Sequence, residues 1–250
     1  MSLIEFMKND VVTYPVYVLH VKQGYDERAL HMEKMLKHQG MEFEYVLDGD
    51  IPDLTYKVLT RYFTGAMRTA GAEASCALKH IIAYERLIKS GNEGALILED
   101  DIVLYNNFTK RLKLLLDECA ELSISDYLLS LEESNLMYVP RSRRVKGIHI
   151  YKAERDRFTG CYYITRGASL MILERIRRYP MDRPIDRFHT LLISEVGFPY
   201  FWSMPALATQ GSHSGYFTSS ISNRRAASQL RLRLTWQLKR WYKKLLYWLR

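Results

Sequence analysis

The run Ala95-Leu96-Ile97-Leu98 ends abruptly in three adjacent acids, Glu99, Asp100 and Asp101. A strand with no polar face is buried on both sides, so its acids must emerge at the carboxyl edge of the sheet, where water, a cation or a ligand can meet them. Alternation along an extended chain directs Glu99 and Asp101 to the same side. Their hard carboxylate oxygens suit Mg²⁺ or Mn²⁺ holding a diphosphate. The alternative is a solvated acidic turn with no ligand.

The elements that must position these acids follow from periodicity. Residues 16–21 (Val-Tyr-Val-Leu-His-Val) predict a buried first strand, residues 27–39 a helix stopped by Gly40, and residues 43–47 a second strand. Ala74, Leu78, Ile81, Ile82 and Ile88 recur at helical spacing over residues 73–90 and lead into the acidic strand. Strand–helix–strand order implies an α/β fold with a Rossmann-like, mostly parallel sheet flanked by helices. Further on, the pattern predicts a helix over 108–122, strands at 127–131 and 159–166, a helix over 168–179 and a strand at 198–204. Residues 134–158 are polar, basic and weakly patterned, and read as a loop or small hairpin beside the site, either a lid or a plain surface loop.

Composition narrows the class. The 250 residues are 48% hydrophobic and 26% charged, an ordinary globular balance. The net charge of +8 is local: nine of the 36 basic residues lie between Arg224 and Arg250, where there is no acid, so the other 27 face 28 acids. A nearly neutral body argues against nucleic acid as a partner. Residues 1–10 lack the basic and apolar regions of a signal peptide, and no apolar run approaches the ~20 residues of a membrane span, so a cytoplasmic location is expected. Cys76, Cys119 and Cys161 are far apart, with neither a disulfide framework nor zinc-site spacing, and read as reduced core residues.

Six segments, in order, resemble glycosyltransferase family 25, the lipopolysaccharide and lipooligosaccharide galactosyltransferases. They are the first strand followed by Arg28; Ala72-Glu73-Ala74-Ser75-Cys76-Ala77-Leu78-Lys79-His80; Leu96 to Asp101; Thr159-Gly160-Cys161-Tyr162-Tyr163-Ile164-Thr165-Arg166; Pro184-Ile185-Asp186; and Pro205 to Gln210 followed by His213. The family usually has glycines where this chain has Ala72, Ser75 and Cys161, and a serine where it has Lys79. The resemblance implies a glycosyltransferase-A type fold moving a hexose, galactose first, from a UDP-sugar to a saccharide hydroxyl with inversion. UDP-glucose or an N-acetylhexosamine donor is the alternative within the class, and a metal-dependent phosphohydrolase the alternative outside it.

The resemblance also implies roles. Asp101 would ligate Mn²⁺ or Mg²⁺, with Glu99 reaching the metal through water or the ribose and His213 as a late ligand. Asp186 would be the base that accepts the acceptor proton, with Asp182 second; Asp186 could equally cap the helix beginning near Arg187. His20, Arg28, Glu73, His80, Asp100 and Gln210 would border the donor, although Glu73 could be a plain first-turn acid and His80 a buried structural donor. Tyr162 would line the sugar or acceptor side, or sit in the core.

The economical division is a catalytic domain over 1–223 and a basic helical tail over 224–250. Leu234, Leu238, Trp241, Leu245 and Trp248 recur at three or four residues, flanked by Arg233, Arg240, Lys243 and Lys244. That is the pattern of an amphipathic helix lying on an anionic membrane surface, which would put the protein peripherally at the inner face of the cytoplasmic membrane, beside a lipid-linked or free oligosaccharide acceptor. A dimerisation helix or one docked on its own domain are the other readings.

Overall fold

A computed structural model describes residues 14–214, 217 and 229–249. The chain opens with β1 (Val16–Leu19), α1 (Asp26–His38) and β2 (Glu44–Val46); α2 (Tyr56–Tyr62) and the long α3 (Ala72–Ser90) then lead into β3 (Gly94–Glu99). Next come β4 (Ile102–Leu104), α4 (Phe108–Glu121), β5 (Leu128–Ser130), β6 (Ile150–Lys152) and β7 (Cys161–Thr165). The last elements are α5 (Arg166–Arg178), α6 (Ile185–Val196), β8 (Tyr200–Ser203), β9 (Ala208–Gln210), the single turn α7 (Gly211–Ser214) and α8 (Gln229–Leu249).

Seven strands form one sheet in the order β2-β1-β3-β7-β5-β8-β6. β2, β1, β3, β5 and β8 run one way; β7 and the edge strand β6 run against them. The expectation of a mostly parallel sheet therefore holds, with β7 as the reversal at its centre. Parallel neighbours need a crossover, usually a helix. Between β5 and β7 the chain offers no such helix, and β7 returns beside β5 antiparallel.

Both faces of the sheet are covered, which explains why β1 and β3 are apolar up to the acid that ends β3. Tyr17, Leu19 and Ile97 join a core under α3, α5 and α6. Val16, Val18, Leu96 and Leu98 join another, closed by Met32 and Leu36 of α1 and Leu112 and Leu115 of α4. Each fully buried Leu or Ile stabilises the fold by about 1.5–3 kcal/mol, so the acidic end of β3 rests on a rigid base.

Two expectations about local structure need correction. Residues 134–158 are not a lid: Tyr138, Val139, Ala153 and Asp156 are buried, β6 lies within the segment, and Arg157 near its end is fully buried. Arg157 donates to the carbonyls of Ser130 and Ser203, which ties the segment to two strands despite its polar composition. The second correction concerns α8. Trp236 is buried against Leu136 and Tyr138, Arg240 Nε donates to Glu133 Oε1 at 2.6 Å, and Lys244 Nζ lies 3.2 Å from Glu133 Oε2. Arg240 and Lys244 thus face their own domain, because the buried Glu133 carboxylate needs positive partners. Leu234, Leu238, Trp241 and Leu245 stay exposed. Among the described residues no helix is long and apolar enough to cross a membrane.

Candidate active site

A cleft of ≈ 840 Å³ opens at the carboxyl ends of β1 and β3. The acids at the end of β3 all line it, but their surroundings divide them. Asp100 is committed to structure: its carboxylate accepts from His20 Nδ1 at 2.7 Å and Arg28 NH1 at 2.8 Å, fastening the end of β1 and the start of α1 to the end of β3. His20 and Arg28 line the cleft while holding this pair.

Glu99 accepts from Thr159 Oγ1 at 2.8 Å and from Gln210 Nε2 at 2.9 Å, and His80 Nε2 lies 3.4 Å from its Oε1. Burial raises the Glu99 pKa, but His80 and Thr159 outweigh it and hold the carboxyl below its ordinary value. Asp101 goes the other way. Burial first, and the Glu99 charge second, push it up to about 6. Among the described residues its Oδ2 receives only the Ser212 N–H, at 3.3 Å, and its buried Oδ1 has no hydrogen-bond partner. An orphaned carboxylate oxygen beside a second acid fits a hard cation, so these residues suit Mn²⁺ or Mg²⁺.

Gln210 reaches Glu99 because β9 pairs with β4, setting Gln210 opposite Ile102. Gly160 must be glycine for that approach: a Cβ there would come within 2.6 Å of the Gln210 side chain. Asp186, in the first turn of α6, lines the cleft, and among the described residues no hydrogen bond or ion pair ties its carboxylate. The helix cap is Pro184, so Asp186 is not the N-cap. Asp182 lies outside the cleft lining, exposed and paired with Arg183 at 2.7 Å, which lowers its pKa. Glu73 lines the rim from the first turn of α3. The His213 side chain lies outside the described residues.

Tyr162 belongs to the core rather than the sugar side. It is 1% exposed, and its hydroxyl lies 2.7 Å from His80 Nδ1 and 2.8 Å from the Tyr84 hydroxyl. The chain continues from Tyr84 to His189 Nε2 at 3.2 Å, and from His189 Nδ1 to Asp156 Oδ2 at 3.0 Å. The Tyr200 hydroxyl donates to the same Asp156 oxygen at 2.9 Å. Burial lowers His189 to about 4 and pushes Asp156 well above the ordinary carboxyl value.

Sequence reasoning missed three contributors. Lys79 forms a 2.8 Å pair with Asp50 and donates to the Leu47 carbonyl, bracing the loop after β2 at the cleft edge. Glu132, fully buried, receives the amides of Gly160 and Cys161, and burial drives its pKa well up. Cys76 packs against the core, as expected, but it also lines the cleft, and burial with the charges of Glu99 and Asp186 holds its thiol well above its usual pKa. Only the departure from serine at Lys79 was visible in sequence; the other two depend on tertiary contacts.

Residues 14–189 match the family model described as "Glycosyltransferase family 25 (LPS biosynthesis protein)". A Haemophilus influenzae protein named "Putative glycosyltransferase" is 25% identical over 167 residues, 64% of this chain and 57% of its own length. The chain therefore spans less than two thirds of that relative. Among solved structures, A197 from STIV is similar at TM-score 0.43 and 13% identity, covering 76% of this chain and 81% of its own. A glycosyltransferase involved in glycosylation of the major capsid of PBCV-1 gives TM-score 0.41 and 10% identity, covering 90% and 99%.

Proposed function

This chain belongs to glycosyltransferase family 25, and we propose that it transfers a hexose, galactose first, from a UDP-sugar to a saccharide hydroxyl in lipopolysaccharide or lipooligosaccharide synthesis. The observation that carries the reading is the Asp101 carboxylate, with a buried oxygen unpartnered among the described residues, beside the anionic Glu99 at the mouth of a large cleft. That is where a diphosphate-bound divalent cation belongs. Asp101 would hold it directly, with Glu99 as its neighbour through water or ribose. When bound, Mn²⁺ or Mg²⁺ supplies charge stabilisation to the departing diphosphate.

The residues of the chain do the rest. The His20–Asp100–Arg28 cluster fixes the donor side of the cleft; Arg28 adds positive charge near the phosphates. Thr159 and Gln210 hold Glu99 in one orientation, so the acidic edge is set before substrate arrives. Asp186 accepts the proton of the acceptor hydroxyl as that oxygen attacks the anomeric carbon opposite the diphosphate, which inverts configuration. In this reading 1–223 is the catalytic body and 224–250 the tail, whose exposed Leu234, Leu238, Trp241 and Leu245 enter an anionic membrane surface assisted by Lys239 and Lys243. A lipid-linked acceptor would be presented there.

Thermal unfolding with a panel of UDP-sugars, with and without Mn²⁺, tests the reading, because a ligand that binds only the folded state raises its stability by mass action. UDP-galactose should protect most, and only with the metal. UDP release that needs no saccharide acceptor would instead favour a phosphohydrolase.

A further inference from the structure

Cys76 and His80 stand one helical turn apart on α3 and meet Glu99 at the end of β3. One ligand atom from each lies within 4.8 Å of the others. These are a thiol, an imidazole and a carboxylate, a donor set softer than the paired carboxylates at Asp101. The mixture comes from positions that are i, i+4 on one helix face, so the helix itself holds two of the three side by side.

The imidazole carries the decisive detail. His80 is 0% exposed, and among the described residues its Nε2 makes no hydrogen bond although Glu99 Oε1 is 3.4 Å away. Its other nitrogen is engaged by Tyr162. That contact is the end of a buried chain that runs through Tyr84 and His189 to Asp156. His80 Nε2 is thereby held beside Glu99 Oε1, and a cation between the two would bond both.

We infer that Cys76, His80 and Glu99 form a binding site for a thiophilic divalent cation of the Zn²⁺ type, separate from the hard-cation position at Asp101. Tetrahedral Zn²⁺ with thiolate and imidazole ligands sets donor atoms roughly 3.5 Å apart, so side-chain movements of about 1 Å close the triad on the ion. The supporting contacts are already in place: Tyr162 orients His80, and Thr159 and Gln210 orient Glu99. On binding, the Cys76 thiol proton leaves to solvent and the S–Zn bond takes its place. Cys76 and Glu99 line the cleft, so an ion would enter from that side. The site does not depend on the transferase reading; one consequence does, since an ion that claims Glu99 should inhibit a reaction that uses it.

Cobalt titration of the full-length protein tests the site directly. Co²⁺ should bind with one equivalent showing a thiolate-to-cobalt charge-transfer band, and Zn²⁺ should bleach it. Cys76→Ser should abolish the band and weaken Zn²⁺ binding at least roughly tenfold, with circular dichroism and thermal unfolding reporting that the variant is folded. Cys119→Ser and Asp101→Asn should keep the band. A band that survives Cys76→Ser, or wild-type protein that shows none, overturns the inference. Where transfer is measurable, Zn²⁺ inhibition relieved by Cys76→Ser supports it; a protein that binds cobalt in this way yet transfers no sugar leaves the site standing and sinks the transferase reading.

Discussion

Asp101 bears a cost in the folded protein. Its carboxyl is raised to about 6 from an ordinary 3.8, so between those values the folded state holds a proton that the unfolded chain has lost. Stability therefore falls as pH rises from about 4 to 6 and stays reduced above, by roughly 2–3 kcal/mol. Asp101→Asn removes the ionisation. The metal-free variant should melt several degrees above wild type at pH 7.5 and level with it at pH 4, while losing Mn²⁺-dependent UDP binding. Equal melting temperatures at pH 7.5 would show that Asp101 is not strained. Asp186 and Asp182 separate on geometry, since only Asp186 lines the cleft. Asp186→Asn should lower turnover about 10²-fold or more with UDP-sugar binding retained, and Asp182→Asn should stay near wild type; steady-state kinetics with separate donor binding decides. The acidic triplet was legible in sequence because an apolar strand that ends in three acids must bring them to the edge of the sheet, where partners or a cleft take them. Its division of labour was not. That Asp100 is consumed by His20 and Arg28, and that Cys76 meets Glu99, are contacts over long sequence separations that no local pattern encodes.

At the scale of elements, the longer strands and helices could be read because they have a clean period and a stop signal, as with α3 closing at Gly91 in a left-handed conformation, whereas α2 and the three-residue strands β4, β6 and β9 could not. The reversal at β7 could not, since strand direction is set by the connection, and the polar segment before it hides its buried anchor Arg157. The docking of α8 is of the same kind. Glu133 is 1% exposed yet its carboxyl lies below its ordinary value: burial raises it, and Tyr105, Lys244 and Arg240 together lower it further. A depressed carboxyl contributes stability above its unfolded value near 4.5, and that contribution disappears as pH falls through and below it. Trp236 should therefore become exposed on acidification below about pH 4.5, seen as a red shift of tryptophan emission. In Glu133→Gln, which loses charge-assisted bonds worth about 1.5–3 kcal/mol each, the helix should undock at lower denaturant at pH 7 and lose that pH dependence. Emission in Glu133→Gln that matches wild type across pH would show that Trp236, not the ion pairs, holds the helix.

For the molecule as a whole, charge and apolar surface coincide at one place. The body is almost neutral, while the acid-free stretch from Arg224 to Arg250 carries the excess. Docking spends Arg240 and Lys244 on Glu133, and it turns Leu234, Leu238, Trp241 and Leu245 outward with Lys239 and Lys243 also exposed. On the proposed reading, a helix held on the protein by one face and presenting leucine and tryptophan on another would bind a bilayer without leaving its domain. Removing the tail would therefore be a poor test, because it also strands buried Glu133. Substitutions on the outward face leave the docking intact. Leu238→Glu with Trp241→Glu should abolish sedimentation with anionic vesicles while transfer to a soluble acceptor continues. Lys239→Gln with Lys243→Gln should weaken vesicle binding by about 1 kcal/mol per charge removed and flatten its salt dependence. Wild-type protein that ignores anionic vesicles at low salt would refute the membrane surface as partner. If the Leu238/Trp241 variant instead converts a dimer to a monomer in analytical ultracentrifugation, a second copy of the chain is what covers this face.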